Sequence, residues 1–270
     1  MKPVDFSYER PLTLAAALEL LARADIAAKP MAGSQSLGPM LNLRLVQPEL
    51  LVDITAIPEL SSMHEDKGGL VIGACVTHAT IEDGAYTDVT RGTLARIAAG
   101  IAYRAVRNRG TIGGSLAHAD PAADWVSALI AMNAEIVVAG LGGRRSVPAA
   151  DFMRGVFETT LEAGEIIVEI RVPAFSSRAR WGYHKICRKV GEFSHATGAV
   201  LVDSERRFAR CVIGAVSGKP IVIDDPAIAE QDPGESWMAS RLAGTPIGDD
   251  AYQVRLHHVA LKRAIMEARA

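Results

Sequence analysis

Cysteine is scarce. Cys75, Cys187 and Cys211 stand far apart in a chain of 270 residues. An odd, scattered set argues against a disulfide framework and against an iron–sulfur cluster of four thiolates within the chain. Free, buried thiols in a reducing, cytoplasmic setting are the expectation. Net charge is scarce too: 29 Lys and Arg against 31 Asp and Glu leave −2. With no basic run, the electrostatic footprint of a nucleic-acid binder is missing. No apolar stretch approaches the roughly 18 residues of a transmembrane helix. The longest, around Leu129 and Val200, fall far short. Met1-Lys2-Pro3-Val4-Asp5 begins no signal peptide.

Hydrophobic residues are plentiful, at 49%, enough for a sizeable core in one large domain or two. Glycine is placed where it can matter. Lys29-Pro30-Met31-Ala32-Gly33-Ser34-Gln35-Ser36-Leu37 and Arg109-Gly110-Thr111-Ile112-Gly113-Gly114-Ser115-Leu116-Ala117 are two glycine-bearing turns of small and hydroxyl side chains. Such turns let backbone N–H groups face an anion. A pair of them suits one long ligand with a central diphosphate. Neither is a dinucleotide fingerprint, because Gly110, Gly113 and Gly114 are wrongly spaced. Gly218-Lys219 lacks the rest of a phosphate-binding P-loop. One such turn alone would read as an ordinary loop.

The pattern along the chain divides into three units. Leu14, Leu18 and Leu21 predict a helix over 11–24, capped by Thr13. Short strands are predicted at Lys29–Met31 and Leu50–Ile54, closing a small first lobe at 1–56. The second lobe, 57–175, is predicted to hold a strand from Gly69, a helix over 87–99 and a helix N-capped by Asp120 with Pro121 at its first position. Strands at Ala134–Ala139 and Glu165–Val172 complete it. The third unit, 176–270, reads as strands at Arg180–Arg188, Ala196–Asp203 and Arg206–Ala215, a loop over 224–248 and a last helix from Asp250. Strands followed by helices predict an α+β class.

These residues resemble a family. Ala32-Gly33-Ser34-Gln35-Ser36-Leu37 is similar to the A-G-G-x-[ST/D]-L turn of molybdenum hydroxylase flavoproteins. Thr111-Ile112-Gly113-Gly114-Ser115-Leu116-Ala117, with Asp120-Pro121-Ala122-Ala123-Asp124, resembles their second motif. Tyr183-His184-Lys185, Arg188, Gly191-Glu192-Phe193 and Gly214-Ala215-Val216 resemble their C-terminal domain. The likeness is to the medium, FAD-binding subunits of carbon monoxide dehydrogenase and its relatives and to the flavin domain of xanthine dehydrogenase.

The resemblance implies a two-lobed FAD-binding fold of the vanillyl-alcohol oxidase (PCMH) type and a C-terminal α+β domain closing over the flavin. It implies non-covalent FAD, held by Lys29, Pro30, Met31, Ala32, Gly33, Ser34, Gln35, Ser36 and Leu37, and by Gly110, Thr111, Gly113, Gly114 and Ser115. Ile101 and Ala102 would lie near the isoalloxazine or its linker. Asp120 and Asp124 would serve the site, Asp124 through a sugar hydroxyl. Ile167 would contact the adenine side, and Lys185 would reach in from the third domain. The implied role is an electron-transfer subunit with a large molybdenum-cofactor subunit and a small iron–sulfur subunit, as a dimer of heterotrimers.

Simpler readings stand beside these. Asp124 suits the first turn of a helix on dipole grounds alone. Lys185 reads equally as a surface lysine and Tyr183 as core packing. His118, His257 and His258 suggest no metal site, which needs convergent ligands. Ser34 replaces a family glycine and would cost on the order of 1 kcal/mol if the turn needs φ > 0. The acidic 224–248 stretch departs from the family pattern. No acid–base constellation is legible. A stand-alone flavin oxidase and a nucleotide-binding module without redox role are the alternatives.

Overall fold

A computed structural model describes residues 2–84 and 86–270. Its architecture is α+β, built on three sheets. The first holds β1 (Ser7–Glu9), β2 (Ala28–Met31) and β3 (Leu50–Asp53), parallel in the order β1-β3-β2. Helix α1 (Leu14–Leu21) lies between β1 and β2, and α2 (Leu37–Asn42) between β2 and β3. Thr13 caps α1 by accepting from the Ala16 N–H, and Ala17, Leu18 and Leu21 form its buried stripe. Central β3 is buried at every position, its apolar Leu50-Leu51-Val52 run fitting a parallel strand and ending in Asp53.

The second sheet is antiparallel, in the order β4-β5-β10-β6-β7. Its strands are β4 (Met63–Asp66), β5 (Gly69–Gly73), β6 (Glu135–Gly140), β7 (Gly143–Pro148) and β10 (Ile166–Pro173), with the β8 (Met153–Gly155) and β9 (Glu158–Thr159) hairpin set aside. Helices α3 (His78–Glu82), α4 (Thr93–Ala99), α5 (Arg104–Arg107), α6 (Ile112–His118) and α7 (Asp124–Ala131) join β5 to β6; α8 (Ala149–Phe152) follows β7. Every residue of α7 is buried. That helix packs against β12 (Ala196–Asp203) and β13 (Phe208–Gly214) of the third sheet, so it has no solvent face to keep polar.

The third sheet is a meander of β11 (Ala179–Ile186), β12, β13 and β14 (Ile221–Ile223). After α9 (Pro226–Glu230) and α10 (Glu235–Leu242), α11 (Ala251–Arg269) lies across β11 and β12. Asp250 caps it through the Tyr252 and Gln253 N–H groups.

Three sequence expectations need correction. Residues 224–248 are not loop: α9 and α10 lie there, α9 capped by Asp225 with Pro226 at its start. The helix expected over 87–99 starts only at Thr93, because the Asp88 carboxylate accepts from the N–H groups of Thr90 and Gly92 and closes a turn instead. Asp120 does not cap α7. Its Oδ1 accepts from the Ala122 N–H at 2.9 Å, a local turn, and the helix begins at Asp124.

Candidate cofactor site

The first glycine segment leaves the C-terminal end of β2, the end at which parallel sheets bind ligands. Ser34 adopts φ 60°, so the left-handed position is real and serine fills it. Gln35 Nε2 donates to the Gly33 carbonyl at 3.0 Å and tightens the turn. Among the described residues, the N–H groups of Ala32 through Leu37 have no backbone acceptor. A consecutive row of unspent donors is what an anion-binding nest consists of.

The second segment is different. Its residues 112–118 form α6, capped by Thr111. Gly110 N–H donates to the Val106 carbonyl at 2.7 Å, Ile112 to Val76 at 3.1 Å and Gly113 to Ala74 at 2.9 Å. Gly114 N–H donates to Thr111 Oγ1 at 3.1 Å and Ser115 to the Thr111 carbonyl at 3.0 Å. These amides are spent inside the protein. The segment is a wall rather than a second cradle. Buried His78 backs it: its N–H donates to the Gly110 carbonyl at 2.9 Å, and its Nδ1 accepts from Trp125 Nε1 at 3.1 Å. Burial, with the nearby Arg107 charge, pushes the imidazole pKa down to about 4.

The two segments meet directly. A methyl group at Gly33 would stand 2.6 Å from the Arg109 carbonyl carbon. Beside this junction opens a polar cavity of about 460 Å³. Ala32, Gly33, Arg109 and Thr111 line it, together with Tyr8, Arg10, Asp53, Thr55, Ser61, Cys75, Thr77 and Asn108. The Arg109 guanidinium has no acidic partner among the described residues. The Asp53 carboxylate is occupied: it accepts from Tyr8 Oη at 2.5 Å, Thr55 N–H at 2.9 Å and Thr55 Oγ1 at 2.6 Å. Burial pushes the Asp53 carboxyl up, but these bonds and the Arg10 charge outweigh it and hold it below its usual range. Arg10 is paired with Asp53 at 3.5 Å, which leaves the Arg109 cation, hydroxyls and free amides around the cavity to fit an anionic, hydroxyl-bearing cofactor such as FAD.

A second locus joins β11 of the third sheet to the second sheet's helices. Lys185 Nζ donates to Asp124 Oδ2 and to the Gly100 carbonyl, at 3.0 and 2.9 Å. Tyr183 Oη donates to Asp124 Oδ1 at 2.7 Å. Burial pushes the Asp124 carboxyl up, against the Lys185 ammonium and the Tyr183 hydroxyl. Ile101 bridges Gly191, and Ala102 takes φ 43° beside it. Ile101, Ala102, Asp124 and Lys185 are thus neighbours, whereas Ile167 is buried in the β10 core and Asp120 holds the turn before α7. Lys29 and Pro30 are exposed on edge strand β2. Sequence reasoning missed Tyr8, Arg10, Asp53, Thr55, Thr77, His78 and Asn108. An acid ending an apolar parallel strand, Leu50-Leu51-Val52-Asp53, was the available signal. No group of three His, Cys, Asp or Glu converges on a metal position among the described residues.

Residues 4–175 match the family of the FAD binding domain in molybdopterin dehydrogenase. The carbon monoxide dehydrogenase medium chain of Hydrogenophaga pseudoflava is 42% identical over 202 residues, 75% of this chain and 70% of that one. The nicotine 6-hydroxylase medium subunit of Paenarthrobacter nicotinovorans is 33% identical, covering 100% of this chain and 99% of the relative. A solved structure of Hydrogenophaga pseudoflava carbon monoxide dehydrogenase lacking the Mo-pyranopterin moiety superimposes with a TM-score of 0.88 at 34% identity, over 100% of this chain and 99% of that one. The chain belongs to the FAD-binding family of molybdopterin dehydrogenases. It is an oxidoreductase component whose cofactor is FAD.

Proposed function

We propose that this chain is the FAD-carrying electron-transfer subunit of a multi-subunit molybdenum hydroxylase. Bound FAD supplies the redox chemistry, taking electrons that arrive from iron–sulfur clusters of a partner and passing them to an external acceptor. The protein supplies grip and electrostatics. The free amides of Ala32 through Leu37 would receive the diphosphate, and Arg109 would offset its charge. Thr111 and the backbone of Gly110 to Ser115 form the facing wall. Gly100 to Ala102, Asp124 and Lys185 border the flavin end, where the third domain closes. The six unspent amides beside the Arg109 cavity are the observation that carries this reading.

Partners are a large molybdenum-cofactor subunit and a small iron–sulfur subunit. The names medium chain and medium subunit among the relatives support a heteromeric assembly. We divide the chain at 1–56, 57–175 and 176–270, supported by one sheet of three or more strands in each part. Among the described residues no helix is long and apolar enough to cross a membrane. A cytoplasmic location is supported by two buried free thiols, Cys75 and Cys211. Affinity purification of the tagged chain from its native cells tests the whole reading. Flavin, iron and molybdenum co-eluting with two further polypeptides is the expected result. A lone flavin-bearing chain that oxidises organic compounds would favour a stand-alone oxidase.

A further inference from the structure

Arg107 is a largely buried arginine whose guanidinium makes four hydrogen bonds. Its side chain is 11% exposed. Nε and Nη2 donate to the two oxygens of Glu82, at 2.7 and 2.8 Å, a fork-to-fork pair. Nη1 donates to the carbonyls of Ile101 and Ala102, at 2.9 and 3.0 Å. Those carbonyls belong to a segment with a non-glycine residue, Ala102, in the left-handed region at φ 43°. Such a conformation persists only where its surroundings over-determine it.

The other side of the segment faces the third domain. Ile101 bridges Gly191, and a methyl group at Gly191 would stand 2.6 Å from the Ala102 carbonyl oxygen. Lys185 grips the Gly100 carbonyl at 2.9 Å and Asp124 at 3.0 Å. Gly100 to Ala102 is therefore clamped between the Glu82–Arg107 pair and the closing domain.

We infer that Arg107, held by Glu82, is a positioning residue that fixes the Gly100–Ala102 backbone against the third domain and so sets the geometry in which the flavin is held. The inference rests on the reading above that this segment borders the isoalloxazine. It has a strict chemical requirement. The work needs a planar fork that reaches a carboxylate and two carbonyls at once. A lysine ammonium carries the same charge but is a point donor and cannot span them. Hydrogen bonding to Arg107, ahead of the opposing effect of burial, holds the Glu82 carboxyl below its usual range, so the pair stays ionised at neutral pH.

The test uses the full chain loaded with FAD, in wild-type form and as Arg107→Lys, Arg107→Met and Glu82→Gln. Glu82→Gln keeps the shape of the partly exposed surface and so reports even if the arginine variants fold poorly. Flavin affinity, the visible circular dichroism of the bound flavin and its reduction potential are read. All three variants are expected to bind FAD roughly tenfold to a hundredfold more weakly, the loss expected of charge-assisted hydrogen bonds. Altered flavin dichroism in Arg107→Lys is expected as well, despite its retained charge. Arg107→Lys or Glu82→Gln matching wild type in affinity and dichroism would overturn the positioning role while leaving FAD binding intact. A wild-type chain that takes up no FAD would overturn both that role and the functional reading beneath it.

Discussion

Gly33 and Arg109 touch backbone to backbone. A side chain at position 33 would stand 2.6 Å from the Arg109 carbonyl carbon and 2.9 Å from Gly110 Cα. The glycine is thus required by the meeting of two segments 76 residues apart in sequence, not by its own turn. Gly33→Ala is expected to force the two apart, costing about 1–3 kcal/mol or more, and to lose FAD. Gly38, in α2, has only Ser34 Oγ at 3.5 Å from the added methyl. Gly38→Ala is expected to be neutral or stabilising by up to about 1 kcal/mol. Denaturation midpoints and flavin content of the two variants check the contrast.

Ser34 is strained in the same turn, at φ 60°. Ser34→Gly removes a cost of roughly 1–2 kcal/mol and gives back part through the more flexible unfolded chain. A net stabilisation of about 0.5–1 kcal/mol is expected, with FAD binding kept. Destabilisation in urea would show that the hydroxyl does more than tolerate the turn.

Asp124 and Lys185 tie the third sheet to α7, with side-chain exposures of 7% and 13%. Asp124→Ala leaves a lysine buried without its carboxylate, and about 3–5 kcal/mol of stability is expected to go, together with flavin affinity. Asp124→Leu with Lys185→Met removes both charges, and the pair is expected to cost much less than the sum of the single changes. Simple additivity in that cycle would mean the ion pair is not a coupled unit.

His78 is neutral in the fold, with a pKa near 4 against the ordinary 6.5. Between those values the unfolded chain binds more protons than the folded one. Stability is therefore expected to fall as pH drops from about 6.5 towards 4, by up to about 1.4 kcal/mol per pH unit from this group. His257, also held down by burial, acts in the same direction. His78→Phe strands the Trp125 N–H, so it is expected to cost about 1–3 kcal/mol at pH 7 yet show a shallower acid dependence. Chemical denaturation at pH 7 and pH 5 measures both.

Local chemistry was legible where one residue decides the outcome. Thr13 caps its helix, the last helix starts beside Asp250, and the β12 strand at Ala196–Asp203 has the bounds the apolar run predicts. The first glycine turn and the strained Ser34 followed from residue type. What failed depended on partners distant in sequence. The second glycine segment looks like a cradle, but Val76, Ala74 and Val106 claim its amides. Asp53 and Arg10 gain meaning only when β1 pairs with β3, and a three-residue exposed strand leaves no period to read. Helices α9 and α10 were hidden because Pro226 and Gly234 start them while reading as loop residues.

The most direct test of the central claim is the flavin content of the full chain, mixed with FAD, freed of excess cofactor by gel filtration and then precipitated with acid. Stoichiometric flavin is expected, bleached by dithionite, recoloured by an electron-accepting dye and released into the acid supernatant. A protein that stays colourless at saturating FAD would contradict electron transfer through this chain, and a pellet that stays yellow would contradict non-covalent binding.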